Sequence, residues 1–134
     1  MLALLAPGQG SHTPGFLSPW LEDKNAAEVI GTWSDAIALD LTRLGTTASA
    51  DEIRDTANAQ PLLVAGGLIG ALRLFGTDLS AMSYVAGHSV GEITAAAFAG
   101  VLDSVSAMKL VHTRGAQMAI AAKSSNTGMS AVLG

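Results

Sequence analysis

The residues Gly87-His88-Ser89-Val90-Gly91 carry the spacing Gly-x-Ser-x-Gly, which makes Ser89 a candidate nucleophile. The chemistry needs the serine at a sharp strand-to-helix turn, with its hydroxyl exposed and its backbone strained. Small residues two places before and two after let strand and helix approach closely. The same five residues also suit a plain turn whose glycines end a strand. A nucleophilic serine requires more than its turn: a base, donors for the developing oxyanion, and a group that holds the substrate.

For the oxyanion, one N–H comes from the residue after the nucleophile, Val90, and a second from a loop that follows another strand. Gln9, flanked by Gly8 and Gly10, fits that second role through its backbone. For the substrate, a helix over 105–122 puts Arg114 on one face with Ala107, Leu110, Val111, Met118 and Ala121. A guanidinium aimed at an apolar side is costly unless it meets an anion, and its planar fork suits a carboxylate. That anion is either an internal carboxylate such as Glu92 or an acidic group of the substrate.

The base is harder to find. His88 adjoins Ser89, but consecutive side chains at such a turn diverge, and triad members meet in space rather than along the chain. His12 lies on the loop that opens at the same sheet edge, and His112 faces away from Arg114 on its helix. These histidines lack the spacing of a metal site, and without cysteine there is no thiol catalysis, disulfide or thiolate ligand. The 7–12 loop lacks the third glycine of Gly-x-Gly-x-x-Gly and any Gly-Lys-Ser/Thr, which argues against a nucleotide cradle.

The elements that must position these groups follow from periodicity. Residues 2–6 form an apolar run ended by Pro7-Gly8, the pattern of a central strand buried on both faces of a parallel sheet. Residues 20–44 read as two short helices broken near Gly31, and Ser49 with Glu52 has capping-box spacing for a short helix at 51–57. A helix over 61–75 opens on Pro61, with Gly66, Gly67 and Gly70 allowing close approach to the sheet. A strand at 83–87, a helix at 90–99 and a helix at 105–122 begun by Asp103 or Ser104 complete an α/β pattern. Residues 128–134 read as the start of another strand.

The 134 residues are 49% hydrophobic and only 13% charged, which excludes disorder and allows one packed core. A formal net charge of -4 gives no basic footprint for nucleic acid. The apolar start lacks a basic leader region, and the tract 61–75 carries Arg73 and falls short of a membrane span. The expectation is a cytoplasmic protein without membrane contact.

Taken together, Pro7-Gly8-Gln9-Gly10-Ser11, Gln60-Pro61, Gly87-His88-Ser89-Val90-Gly91-Glu92, Arg114-Gly115 with Met118, and Gly128-Met129-Ser130-Ala131-Val132 resemble, in order and spacing, the malonyl-CoA:acyl carrier protein transacylases. The resemblance covers essentially the whole chain but only the amino-terminal part of the family's domain. It implies an α/β-hydrolase-like large subdomain over 1–127 and, over 128–134, the first strand of a ferredoxin-like subdomain. It implies that Ser89 takes malonyl from coenzyme A and passes it to the phosphopantetheine thiol of acyl carrier protein in fatty acid synthesis, without a bound cofactor. Arg114 would hold the malonyl carboxylate, and the backbones of Gln9 and Val90 would form the oxyanion hole. Val90 resembles the malonyl-selective members rather than those with glutamine there. The family's catalytic histidine and a further oxyanion-region glutamine correspond to positions beyond 134, so the fragment alone is expected to be nearly inactive. His12 departs from the glutamine of many members. Two other readings share the elbow: a serine esterase or thioesterase, and a non-catalytic module that binds an acyl carrier or partner chain.

Overall fold

A computed structural model describes residues 1–80 and 82–124. Two strands, β1 (Ala3–Ala6) and β2 (Tyr84–Gly87), pair in parallel, with Ala3 opposite Tyr84 and Ala6 opposite Gly87. Parallel neighbours need a crossover, which here contains α1 (Ser18–Leu21), α2 (Lys24–Ile37), α3 (Leu41–Thr46), α4 (Ala50–Arg54) and α5 (Thr56–Phe75). After β2 come α6 (Gly91–Phe98) and α7 (Ser104–Lys123). The result is an α/β arrangement of helices around a small parallel sheet. The strands end in register, so the 7–17 loop and the 88–90 turn open at the same edge, where α/β sheets place ligands.

Side-chain caps set most helix starts. Asp23, Asp40, Ser49 and Asp55 accept from the N–H of Ala26, Arg43, Glu52 and Ala57. Asp103 accepts from the N–H of Ser106 at 2.8 Å and from its hydroxyl at 2.6 Å. The Ser106 side chain, aided by its N–H, holds the Asp103 carboxyl below its ordinary value. This cap is therefore at full strength above the ordinary aspartate range and is lost as pH falls through the lowered folded value.

Three local expectations are corrected. Gly31 does not break the second segment: α2 runs continuously, because Ala26, Ile30, Trp33 and Ile37 bury one stripe, and the chain turns at Ala38 with φ 51°. Pro61 does not open its helix, since the Asp55 cap starts α5 five residues earlier and leaves the proline inside it. Gly66 and Gly67 admit Phe16 and Thr94, not the strands. By length and composition α5 could cross a membrane, but here it is a core helix, with Leu62, Val64 and Ile69 fully buried and α7 packed along it.

The strand at 2–6 is not buried on both faces. Leu4, Ala6, Val85 and Gly87 share the more covered face, against α6, whereas Leu5 is 74% and Tyr84 62% exposed on the other. Among the described residues helices cover only one side of this sheet. The strand expected at 128–134 lies outside the described residues.

Because a methyl at Gly31 meets nothing within 4 Å, Gly31→Ala is expected to stabilise the chain by about 0.5–1 kcal/mol. Urea denaturation reads this directly, and a lower midpoint would show that α2 needs its glycine.

Candidate active site

The turn between β2 and α6 is built on backbone contact. A methyl at Gly87 would overlap the Gly91 carbonyl, and one at Gly91 would overlap the Ala6 carbonyl oxygen, so both positions require glycine. The His88 N–H donates to the Ala6 carbonyl at 3.1 Å, carrying the strand pairing one residue further. Helical bonding then starts at once, with Gly91 N–H to His88 O at 3.0 Å and Glu92 N–H to Ser89 O at 3.0 Å. Ser89 is left at the corner with φ 55°, a left-handed conformation that costs a non-glycine residue about 1–2 kcal/mol.

Arg114 reaches this corner from α7. Its Nη2 donates to Ser89 Oγ at 3.2 Å, and its Nη1 donates to the Gln60 side-chain oxygen. Gln60 is 1% exposed, and its Nε2 donates to Met118 Sδ at 3.2 Å. The approach is possible because a Cβ at Gly115 would come within 2.8 Å of the Thr56 carbonyl oxygen, so α7 lies tight against the first turn of α5.

The electrostatics separate Arg114 from the other arginines. Arg43, Arg54 and Arg73 pair with Glu52, Asp51 and Asp23. Among the described residues no carboxylate lies within 4 Å of Arg114, and Glu92 is exposed rather than turned toward it. Its protein partners are neutral. Two expected neighbours also differ: Leu110 is 49% exposed and Ala121 is exposed too, and α7 buries Ala107, Met108, Val111 and Gly115 instead.

Gln9 lies on the loop after β1, where its Nε2 donates to Thr56 Oγ1 at 3.3 Å and ties the loop to the start of α5. No cap, turn or loop bond among the described residues uses the N–H of Gln9 or of Val90. His12 is engaged elsewhere. Its Nε2 lies 2.8 Å from the Ile53 carbonyl and donates to it, and the buried Nδ1 has no hydrogen-bond partner among the described residues. The ring of His88 packs over Gly8. No described histidine bonds Ser89.

The structure thus brings together Ser89 and Arg114, two residues separately singled out in the sequence, and adds Gln60. That residue sat in a motif read only as a helix opening. Its signal was a polar side chain in an otherwise apolar stretch, facing Met118 and Arg114 one helix away.

A strained serine at a strand-to-helix turn of an α/β chain, with a cation beside it, has the form of a serine acyl-transfer site. Over 140 aligned residues, its whole length and 45% of the relative, the chain is 57% identical to the malonyl CoA-acyl carrier protein transacylase of Mycobacterium bovis. The crystal structure of MCAT from Mycobacterium tuberculosis superposes with a TM-score of 0.87 at 56% identity, covering 92% of this chain and 42% of that one. A type II PKS acyl-carrier protein in complex with its malonyl-transacylase matches at TM-score 0.76 and 32% identity, over 90% of this chain and 39% of that one. No family model matches. The chain is similar along its whole length to the amino-terminal part of the malonyl CoA-acyl carrier protein transacylases, and it spans under half the length of the curated relatives it matches.

The left-handed backbone at Ser89 makes a stability prediction independent of activity. Ser89→Gly and Ser89→Ala both lose the hydroxyl, but only glycine relieves the strain. The glycine variant should be the more stable by about 1 kcal/mol; equal melting temperatures would show an unstrained turn.

Proposed function

We propose that this chain carries the nucleophile and the acid-group anchor of a malonyl transfer from coenzyme A to acyl carrier protein. The observation that carries the reading is the Arg114 guanidinium, without a carboxylate among the described residues and 3.2 Å from Ser89 Oγ. A malonyl carboxylate lies one methylene from its thioester carbonyl. A cation that holds it must therefore stand within a few ångström of the attacking oxygen, as Arg114 does.

In the proposed sequence Ser89 Oγ attacks the thioester carbonyl and loses its proton to a base. The oxyanion forms toward the N–H groups of Val90 and Gln9, each such donor being worth about 10²- to 10³-fold in rate. Collapse breaks the carbon–sulfur bond, and the coenzyme A thiolate takes the proton. The phosphopantetheine thiol of acyl carrier protein then attacks the malonyl ester, its proton passing to the base, and Ser89 is released with its own proton restored. No metal or organic cofactor enters. Missing its base, a serine typically loses about 10²- to 10⁴-fold in rate, and the family resemblance assigns that base to a histidine beyond residue 134. The same reading takes 1–127 as an α/β-hydrolase-like subdomain, 128–134 as the opening of a ferredoxin-like one, and the cytoplasm as the location.

A serine esterase for neutral esters shares the elbow but has no use for this cation. Intact mass after incubation with malonyl-CoA should show slow addition of one malonyl group, absent in Ser89→Ala. In Arg114→Ala, binding of malonyl-CoA relative to acetyl-CoA should fall by about tenfold to a hundredfold, the worth of a hydrogen-bonded charge. An unchanged ratio would favour the esterase.

A further inference from the structure

We infer that Gln60 is the residue that sets acid-group selectivity, by holding Arg114 in place while leaving its charge unneutralised. The inference rests on the malonyl reading above and extends it to a residue outside the nucleophile, the oxyanion donors and the anchor.

Gln60 lies on α5, and at 1% exposure no solvent can substitute for its hydrogen bonds. Its amide oxygen accepts from Arg114 Nη1 and its Nε2 donates to Met118 Sδ. These two partners fix which way the amide faces, since turning it over would set an N–H₂ against guanidinium N–H groups and an oxygen against the thioether. One end of the guanidinium is thereby clamped from the core, and Nη2 is left directed at Ser89 Oγ. Charges withdrawn from water are ordinarily paired with opposite charges, and even the more exposed Arg43, Arg54 and Arg73 each meet a carboxylate here. At position 60 a neutral acceptor stands where glutamate would fit with no change in size. A glutamate there would satisfy the guanidinium and remove its attraction for a second carboxylate. A glutamine orients it without cancelling its charge.

The charge argument and a purely structural role predict opposite results for Gln60→Glu. As a packing residue, position 60 would accept glutamate with equal or better stability, through a new ion pair with Arg114, and ligand preference would not move. As the selectivity residue, it would keep the fold but lose the preference for an acidic acyl group. The experiment is equilibrium binding of malonyl-CoA and acetyl-CoA by calorimetry, on the natural gene product that carries this chain, with thermal melting recorded alongside. The wild-type protein should favour malonyl-CoA. In Gln60→Glu the ratio of the two affinities should drop by about tenfold or more, as for loss of a hydrogen bond to a charged group, with the melting temperature held or raised. In Gln60→Leu, which frees the guanidinium without neutralising it, the ratio should drop by less, and a larger drop than with glutamate would overturn the charge argument. A wild type that discriminates and a folded Gln60→Glu that discriminates equally would overturn the inference alone. A wild type that does not discriminate would overturn the malonyl reading itself.

Discussion

A positive charge that meets no carboxylate among the described residues governs how this site is built. The guanidinium of Arg114 is held between a buried amide and the hydroxyl of Ser89, both neutral, in a chain whose other arginines pair with carboxylates. Removing charge from water is costly, and the cost is usually offset by an internal counter-ion. In the proposed reading a ligand supplies that counter-ion, a few ångström from the candidate nucleophile. The proposed substrate class follows from this arrangement: a thioester whose acyl group carries its own carboxylate close to the reacting carbonyl.

The scaffold can be understood as what brings that cation to that serine. Glycines at 87 and 91 let β2, the turn and α6 touch backbone to backbone and force the corner at Ser89. Gly115 lets α7 lie against the start of α5, where Gln60 is buried one turn further along. The Asp103 cap starts α7, and Gln9 ties the β1 loop to Thr56 on α5. The helix α5 thus serves three purposes: it fills the core, anchors the loop and clamps the guanidinium. Its interior proline is tolerated in that setting, because tertiary burial along most of its length outweighs one missing hydrogen bond.

Much of this was legible in the sequence, and the limits have physical causes. Ser89 and Arg114 could be identified one at a time, from a turn motif and from a charge on an apolar helical face, but their contact depends on α5 and α7 packing, which no local pattern encodes. Gln60 stands with Pro61 in the family pattern but carries no assigned role there, because a lone glutamine beside an apolar helix names no chemistry of its own. Only its contacts with Met118 and Arg114 single it out. Gly31 misled as a helix breaker and Pro61 as a helix start, because propensity yields to burial and to capping. The 2–6 strand read as buried on both faces, yet β1 leaves Leu5 exposed among the described residues. A run of apolar residues records the packing of the assembled fold, and the described residues cover one side of the sheet.

The central claim is that Arg114 is a substrate-carboxylate site and not a structural cation. Its own guanidinium resonance tests this most directly, through nitrogen-15 NMR of the labelled chain titrated with malonyl-CoA and, separately, with acetyl-CoA. The account predicts that the Arg114 signal, assigned by its loss in Arg114→Ala, shifts in a saturable way with malonyl-CoA and stays in place with acetyl-CoA. An identical response to both, or none to either, would contradict it.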